Sequence, residues 1–544
     1  MADIVNKGIA SFDTAYIWRT GGIMVIVAFG GVACSIIGIY FSSKVATNMS
    51  KIIRAHIFKK VQHFSLHEFD MMSTASLITR TTNDTAQVQQ VMVMILNLLI
   101  TAPITLVVGI ILALEQDVGL SWILIVIMPV IIIVILILLV KAIPLFSVMQ
   151  VKLDKLNLIL DENLTGVRVV RAFNRIKQEE KRFDSANLDV TNLSIKVNQL
   201  ISIMMPVMML MINISSVAII WFGSLRVSGG TLQIGEMFAF LQYAIQILFS
   251  LLMVAMMFIM IPRAEASAKR INEVLDMKPE IEDAKKVKLA DSKRGHIEFQ
   301  DVTFSYIGAE KPALSHISFA ASPGMVTAII GGTGAGKSTL VNLIPRFYDV
   351  AQGKVMIDGV DVREMSQAYL RSKIGLVPQK AILFSGTIKQ NLCYGKEDAT
   401  DEEIERAATV AQASEFISKM ADGFDSLISQ GGTNVSGGQM QRLSIARALI
   451  RKPEIYVFDD TFSALDFKTD AQLRSALKLE TKDATVIIIA QRVSTVIDAD
   501  QILVIEDGKV VGKGAHRELM KTCESYRGIV TSQLSATEIR EENI

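Results

Sequence analysis

Long apolar segments dominate the first half of the chain. Any one of them could be a buried helix of a soluble protein, but five in succession are typical of a membrane domain. Each has about the 20 mostly apolar residues that are needed to cross roughly 30 Å of hydrocarbon. The mean hydropathy of the whole chain, +0.40, is high for a soluble enzyme. The sequence therefore predicts membrane spans at residues 21–41, 91–114, 119–140, 200–222 and 237–261.

The segments that join these spans differ in length and charge. Two connectors of about fifty residues are rich in basic side chains, whereas the short connectors, residues 115–118 and 223–236, hold only Arg226 as a cation. Basic connectors stay in the cytosol, so the long connectors are predicted inside and the short ones outside. Apolar positions such as Ile52, Ile53 and Ile57 continue at helical spacing, which predicts that the spans extend into the cytosol as helices. The basic residues are Lys44, Lys51, Arg54, Lys59, Lys60, Arg168, Arg171, Arg175, Lys177, Lys181 and Arg182.

This topology has a consequence for the N-terminus. If the first span runs inward, Met1 begins outside the cell, and residues 1–19 contain no secretory signal that would carry it there. We therefore expect one further span to precede the chain, lost by truncation or by a start site placed too late. A genuine five-span protein is the alternative.

The charge, cysteine spacing and methionine content of the chain limit the functions that it can have. The net charge of +1 gives no indication of a nucleic-acid partner, and the three widely separated cysteines show no metal or disulfide spacing. Methionines cluster in the last two spans. Their flexible side chains suit a cavity for varied hydrophobic substrates, although lipid-facing or packing roles are equally compatible with the pattern. The clustered residues are Met204, Met205, Met208, Met209, Met211, Met253, Met256, Met257 and Met260.

The second half of the chain changes character. Residues 263–295 are charged and form a predicted linker, and residues 296–544 read as an α/β domain that follows a transmembrane domain at residues 1–262. A strand is expected at 296–306 and a buried strand at 326–330. The second strand leads directly into the complete phosphate-binding P-loop pattern, Gly331, Gly332, Thr333, Gly334, Ala335, Gly336, Lys337 and Ser338.

The P-loop pattern predicts ATP and Mg²⁺ as ligands. Glycines let backbone amides converge on phosphate oxygens, Lys337 reaches the β and γ phosphates, and the Ser338 hydroxyl is a magnesium ligand. A helix at 338–347 would point its positive end at the same phosphates. Further along, a buried strand at 455–458 ends in Asp459, the kind of acidic residue that holds magnesium beside a P-loop.

A second glycine-rich turn lies between these motifs. Ser436, Gly437, Gly438 and Gln439 open a helix and form another possible anion cradle. Alone, such a turn is often only a helix cap. Its place about 100 residues after the P-loop and about 20 before the acidic strand makes the functional interpretation the stronger one.

Together these motifs resemble the ABC transporter family, specifically exporters whose membrane domain precedes the ATP-binding cassette. The resemblance implies an α-helical transmembrane bundle followed by an α/β P-loop cassette, with five of the family's usual six spans present. Ile4–Ile9 is similar to the end of the family's first span. Phe69 with Asp70, and residues 162–170, resemble the coupling helices that press on the cassettes.

The resemblance also implies roles for individual residues. Tyr306 looks like the aromatic that stacks on adenine, although a core tyrosine at a strand end is the alternative, and Thr339 completes the nucleotide-contacting set. Gln379 looks like the glutamine that contacts magnesium and the attacking water. Residues 463–466 resemble the loop that crosses the dimer interface. The turn at residues 436–439 would close over the nucleotide of a partner cassette.

Two positions do not match the family, and both correspond to residues that take part in ATP hydrolysis in the family. The family's general base is a glutamate where this chain has Asp460, whose carboxylate is about 1 Å short, and a misplacement of that size can cost about a hundredfold in rate. The family's histidine is replaced by Gln491, which donates a hydrogen bond but takes up no proton near neutral pH. A weaker departure is Gln430, where a glutamate is common.

This pattern resembles the degenerate subunit of heterodimeric multidrug exporters. It implies an exporter of hydrophobic or lipid-like compounds in the plasma membrane, with a cytoplasmic cassette and a slowly hydrolysing ATP site. The partner would be a second ABC subunit with intact glutamate and histidine, which this chain's turn at 436–439 completes. A homodimeric ATP-gated regulator or channel is the alternative, whereas the domain order and long cytosolic helices argue against an importer.

Overall fold

The computed structural model of the chain describes residues 2–284, 287–288 and 294–533. It divides into two units. The first comprises Met1–His63 and Met72–Met277, and the second comprises Phe64–Met71 and Lys278–Ile544.

The first unit is entirely helical where it is described. Its five long apolar helical segments, Thr14–Val61, Thr74–Gln116, Val118–Thr165, Ile176–Ser228 and Ile234–Ala255, confirm the five predicted spans. They extend well beyond the apolar stretches, as the helical spacing around Ile52 predicts. The α-helices of this unit are α1 (Thr14–Val61), α3 (Thr74–Thr79), α4 (Thr85–Gln116), α5 (Val118–Thr165), α6 (Val167–Ala172), α7 (Ile176–Ser202), α8 (Met204–Ser228) and α9 (Ile234–Asp276). The helix between α1 and α3, α2 (Leu66–Met72), falls almost wholly in the second unit. Two π-helical turns lie at Ile4–Ile9 and Arg80–Asp84.

Local signals set the ends of these helices. Asp13 caps α1 by accepting the backbone N–H of Tyr16, and Asp117 caps α5 by accepting that of Leu120. Asp117 also ends α4 in an extended conformation, so one residue separates two spans. The short outer connector predicted at 115–118 is therefore a tight turn.

Methionines of the last two spans contribute to helix packing. Met204 and Met208 are buried in one core cluster with Ile212 and Leu248, whereas Met205 and Met209 on the same helix are exposed. This division indicates that part of the methionine pattern serves packing. The side chains of Met256, Met257 and Met260 lie outside the described residues.

The second unit contains three sheets. The strands are β1 (Ile297–Phe304), β2 (Leu314–Ala321), β3 (Val326–Gly331), β4 (Gln352–Ile357), β5 (Val360–Asp361), β6 (Ile374–Val377), β7 (Gly386–Thr387), β8 (Leu427–Ile428), β9 (Ile455–Asp459), β10 (Thr485–Ile489), β11 (Gln501–Glu506) and β12 (Lys509–Gly514). A four-stranded sheet has the order β2-β1-β4-β5, the central sheet has the order β12-β11-β3-β10-β9-β6, and β7 pairs with β8.

Helices cover the central sheet. They are α10 (Lys337–Leu343), α11 (Gln367–Ser372), α12 (Ile388–Cys393), α13 (Asp401–Val410), α14 (Ser414–Ser418), α15 (Gly437–Ile450), α16 (Phe467–Glu480), α17 (Val493–Val496), α18 (His516–Thr522) and α19 (Glu524–Gln533). The helix predicted at 338–347 is too long, because α10 ends at Leu343. Pro345 has no N–H for a helical bond and disfavours helical backbone before it.

The register of the central sheet positions the site. Strands β3, β10 and β9 are parallel neighbours, with Ile489 paired to Ile329 on one side and to Asp459 on the other. Parallel strands end at the same edge, so the P-loop after β3, Asp459 at the end of β9 and the chain after β10 meet there.

Candidate nucleotide-binding site

The P-loop forms a tight turn between β3 and α10. Gly334 and Gly336 have φ of +80° and +98°, a region that side chains rarely adopt. A Cβ on Gly336 would also lie 2.8 Å from the carbonyl oxygen of Ala313. The Lys337 ammonium donates to the carbonyl oxygens of Gly331 and Gly332, at 2.9 and 2.7 Å. The lysine thus lies along the loop, at the N-terminus of α10.

Electrostatics at the loop suit an anionic ligand. Burial lowers the pKa of Lys337, although the carboxylates of Asp460 and Asp459 oppose that shift. Burial destabilises the charged form of Lys337, and a bound phosphate would stabilise it, because the negative charge of the phosphate compensates for the lost hydration. The backbone amides at the start of α10 add partial positive charge in the same place.

Ser338 and Asp459 form the second part of the site. The Ser338 hydroxyl donates to Oδ1 of Asp459 at 3.2 Å, and Asp459 ends a strand in which every residue is buried. Burial raises the pKa of the Asp459 carboxyl, and Asp460 adds to the rise while Ser338 and Lys337 oppose it. A hydroxyl and a carboxylate beside a phosphate site are the oxygen ligands that Mg²⁺ takes, so these residues fit that ion.

Asp460 lies at the centre of the three residues predicted to be catalytic. The side-chain amides of Gln379 and Gln491 both donate to its Oδ2, at 3.2 and 2.9 Å. Its backbone is left-handed, with φ of +45°, and its N–H is bonded to the carbonyl oxygen of Ile489 at 3.0 Å. Aspartate tolerates this conformation better than most residues. The fold therefore aims the Asp460 carboxylate at both glutamines.

Tyr306 lies just beyond the end of β1, next to the P-loop helix. Its hydroxyl is 2.9 Å from the Thr339 hydroxyl, and its ring packs edge-on against Phe304 and Tyr348. The residue remains 40% exposed, so it is not a core tyrosine. Burial raises the pKa of the Tyr348 hydroxyl to about 12, and the neighbouring Tyr306 and Asp70 contribute to the rise.

The glycine-rich turn at 436–439 is a reciprocal helix cap. The Ser436 hydroxyl accepts the Gln439 N–H at 3.3 Å, and the Gln439 side-chain oxygen accepts the Ser436 N–H at 2.8 Å. A Cβ on Gly438 would lie 3.2 Å from the Ala464 carbonyl oxygen. This turn therefore packs against the 463–466 loop that follows Asp460.

Comparison with known proteins agrees with this architecture. The family described as ABC transporter transmembrane region matches residues 1–260, and the family described as ABC transporter matches residues 314–463. An uncharacterized ABC transporter ATP-binding protein of Mycobacterium tuberculosis is 43% identical over 541 residues, which cover 98% of this chain and 93% of that protein. The chain belongs to the ABC transporter family.

Further similarities place this ABC transporter among the exporters. An ATP-dependent lipid A-core flippase of Desulfotalea psychrophila is 36% identical, with 90% of this chain and 85% of that protein covered. The solved structure of a bacterial Atm1-family ABC exporter with ATP bound gives a TM-score of 0.82 at 25% identity, with 97% and 93% covered. The transporter is thus a multi-pass membrane protein of exporter type whose nucleotide-binding domain is cytoplasmic.

The segments that resemble coupling helices fall in different units of the transporter. Phe69 and Asp70 lie in α2, which the buried Glu68 ties to the second unit by accepting the N–H of Glu280 at 3.0 Å. Residues 162–170 span the end of α5 and the start of α6, where Leu164 and Val169 are exposed in the first unit. Sequence reasoning missed Glu68, although a glutamate three residues after Ser65 is a recognisable capping pattern.

Other contacts of the ABC transporter were not predictable from motifs. Gln430 is exposed at the start of a 3₁₀ turn, Gln430–Gly432, whose last residue is buried. The Ser463 hydroxyl donates to the backbone oxygen of Asp460 at 2.8 Å, and Arg492 donates to the Ser463 carbonyl at 3.2 Å. The loop after Asp460 and the loop after β10 are therefore connected, and no spacing in the sequence indicates that connection.

Proposed function

We propose that this chain is the nucleotide-holding subunit of a heterodimeric ATP-driven exporter of hydrophobic or lipid-like compounds. The observation that carries the proposal is the convergence of Gln379 and Gln491 on Oδ2 of Asp460. A carboxylate oxygen has two lone-pair sites, and two amide donors use both. That oxygen has to lose a donor before it can accept a proton from water.

The residue types at this point also oppose rapid hydrolysis. Aspartate is one methylene shorter than the glutamate of the family, and the amide of Gln491 cannot take up a proton as a histidine would. General-base catalysis depends on a base within hydrogen-bond reach of the attacking water. The chain keeps a carboxylate at the position but holds it with neutral amides, which favours ATP binding over turnover.

The parts that hold nucleotide are complete. Lys337 and the amides of the P-loop would bind the phosphates, and the half-exposed ring of Tyr306 would stack on the base. Ser338 and Asp459 would hold Mg²⁺, together with the side-chain oxygen of Gln379, whose nitrogen is used by Asp460. When bound, the ion neutralises charge on the phosphate oxygens.

The turn at 436–439 would serve the partner's nucleotide. The first backbone amides of α15, a 14-residue helix, lie next to this turn at the helix N-terminus, where an anion is favoured. In this arrangement the chain contributes to two sites. It binds ATP at its own P-loop and hydrolyses it slowly. It also completes the site at which the partner, with its own glutamate and histidine, hydrolyses ATP.

The proposed substrate class is hydrophobic or lipid-like. The similarity to a protein named as a lipid A-core flippase supports an amphiphilic cargo. Stimulation of ATPase activity by candidate lipids and drugs, measured in nanodiscs that contain both subunits, would rank the cargo classes.

The central experiment compares the chain alone with the chain co-purified with its partner. Both preparations are assayed in nanodiscs for ATP affinity and for phosphate release. We expect the chain alone to bind Mg²⁺–ATP but to turn over at a small fraction of the rate of the pair. Rapid hydrolysis by the chain alone would contradict the slow-site proposal. In sealed proteoliposomes, ATP-dependent conformational change in a homodimer without cargo accumulation would favour a regulator or channel.

A further inference from the structure

The loop that carries Gln491 is held by contacts from several elements. The Gln491 side chain bonds to Asp460, and the Arg492 guanidinium donates to the Ser463 carbonyl while lying over the ring of Phe467 at 5.3 Å. The loop leads from the end of β10 at Ile489 to α17, which begins at Val493. The backbone conformation of this loop therefore sets the orientation of the Gln491 side-chain amide.

The first N–H groups of α17 need an external acceptor. The first turn of a helix has no internal partners for its N–H groups, and Arg492, the residue at the cap position, supplies no side-chain oxygen. Gln533, forty residues away, fills this role: its Oε1 accepts the Val493 N–H at 2.8 Å. The same side chain donates from Nε2 to the Gln491 carbonyl oxygen at 2.8 Å.

Gln533 makes these bonds from a well-anchored helix. It is the last residue of α19, in which Tyr526 and Val530 are fully buried. The Ser525 hydroxyl, near the start of α19, donates to Glu506 at 2.6 Å, which ties the helix to the end of β11. A side chain fixed at one end of such a helix constrains the loop that it contacts.

We propose that Gln533 is a positioning residue for the ATP site. Its amide bridges the backbone of residues 491 and 493, and so keeps the Gln491 side chain within reach of Asp460. This inference rests on the proposed role of Asp460 and Gln491 at a nucleotide site. Gln533 itself touches neither residue's side chain and is not a catalytic group. Helix α19 thereby helps to orient the loop after β10.

Two substitutions separate the two hydrogen bonds. Gln533→Ala removes both, and alanine at an exposed helix end does not threaten folding. Gln533→Glu keeps an oxygen for the Val493 N–H but replaces the donor to the Gln491 carbonyl with a second acceptor. Ser532→Ala, at the neighbouring exposed position of α19, is the matched control, because its hydroxyl contacts only the helix's own Ile529 carbonyl.

The experiment uses the full chain in nanodiscs, co-purified with a partner whose own ATP site has been inactivated, so that phosphate release reports on this chain's site. Amide hydrogen exchange reports on the loop, and steady-state assays separate kcat from KM for ATP. In Gln533→Ala we expect about fivefold faster exchange at Val493, because one modest hydrogen bond is lost. We also expect kcat at this site to rise by about twofold to fivefold with KM unchanged, because release of the Gln491 amide leaves Oδ2 of Asp460 with one donor instead of two.

The variants give distinguishable outcomes. In Gln533→Glu, protection at Val493 should stay near wild type while kcat still rises, and Ser532→Ala should match wild type in both. Unchanged exchange at Val493 or unchanged kcat in Gln533→Ala would overturn the inference. Failure of the proposed function is detected separately, because it would appear as rapid ATP hydrolysis by the chain alone, whereas the exchange measurement does not depend on nucleotide.

Discussion

The side-chain nitrogen of Gln491 lies 2.9 Å from Oδ2 of Asp460, although 31 residues separate the two along the chain. The contact forms because β9 and β10 are adjacent parallel strands whose ends meet at one edge of the central sheet. It joins the two residues that the sequence predicts as replacements of the family's catalytic glutamate and histidine. Substitution of individual residues tests what each contributes to ATP binding, hydrolysis or stability.

The first prediction concerns this pair. Asp460→Glu combined with Gln491→His should raise phosphate release at this site by roughly tenfold or more, because the longer carboxylate reaches the attacking water and the imidazole can exchange a proton. Turnover is measured in the two-subunit complex whose partner site has been inactivated. A flat rate with ATP still bound would mean that geometry elsewhere limits hydrolysis.

The second prediction concerns Lys337. Lys337→Ala should weaken ATP affinity by about tenfold to a hundredfold, because a charge-assisted hydrogen bond to phosphate is lost. The P-loop also loses the bonds to the Gly331 and Gly332 carbonyls, so hydrogen exchange in the loop should rise. Titration with a fluorescent ATP analogue measures the affinity, and Lys389→Ala, on the distant helix α12, serves as a charge-matched control. Equal affinities in the two variants would contradict the assignment of the loop.

The third prediction tests whether the turn at 436–439 acts on the partner's nucleotide. Ser436→Ala should lower the ATPase rate of the complex while ATP affinity at this chain's own P-loop stays unchanged. The loss of the helix cap alone costs about 1 kcal/mol of stability.

Thr400→Ala provides the matched control for that cost. Thr400 and Glu403 form the same reciprocal cap on α13 as Ser436 and Gln439 form on α15. Both variants should therefore lose similar stability, but only Ser436→Ala should lose activity. Equal losses of activity in the two would assign the effect to folding.

The fourth prediction concerns the membrane unit. Arg270 on α9 donates to the fully buried carboxylate of Asp84, with Nε 2.8 Å from Oδ2, and Ser267 donates to the same carboxylate at 3.0 Å. Arg270→Ala leaves Asp84 buried without its cation. Because the Arg270 side chain is 45% exposed, we expect a cost of about 2 kcal/mol, below that of a fully buried pair.

Thermal unfolding of the detergent-solubilised transporter measures this loss. A cost of that size lowers Tm by roughly 4–8 °C in a domain of a few hundred residues. The neighbouring exposed Lys269→Ala is the control, and the double variant Asp84→Asn with Arg270→Ala should recover part of the loss, since no buried charge remains. A Tm for Arg270→Ala equal to that of Lys269→Ala would show that the pair does not stabilise the helices.

Motif spacing predicted the residues of the proposed nucleotide site. Lys337, Ser338, Asp459 and the turn at 436–439 all lie in patterns whose chemistry depends on local backbone geometry, and local geometry follows from neighbouring residues. The ends of elements were less predictable. The helix after the P-loop is shorter than its pattern indicates because Pro345 terminates it, and Glu68 escaped notice because its partner, Glu280, is distant in sequence.

Five apolar spans and an α/β P-loop domain after them followed from the sequence alone, which also predicts that Asp460 and Gln491 replace two catalytic residues of the family. These features depend on residue type and on short-range spacing. The folded chain was needed to show that Gln379 and Gln491 share one oxygen of Asp460, and that Gln533 donates to the backbone carbonyl of Gln491. Those contacts arise from the order of parallel strands and the packing of α19, which bring together side chains that no local pattern relates.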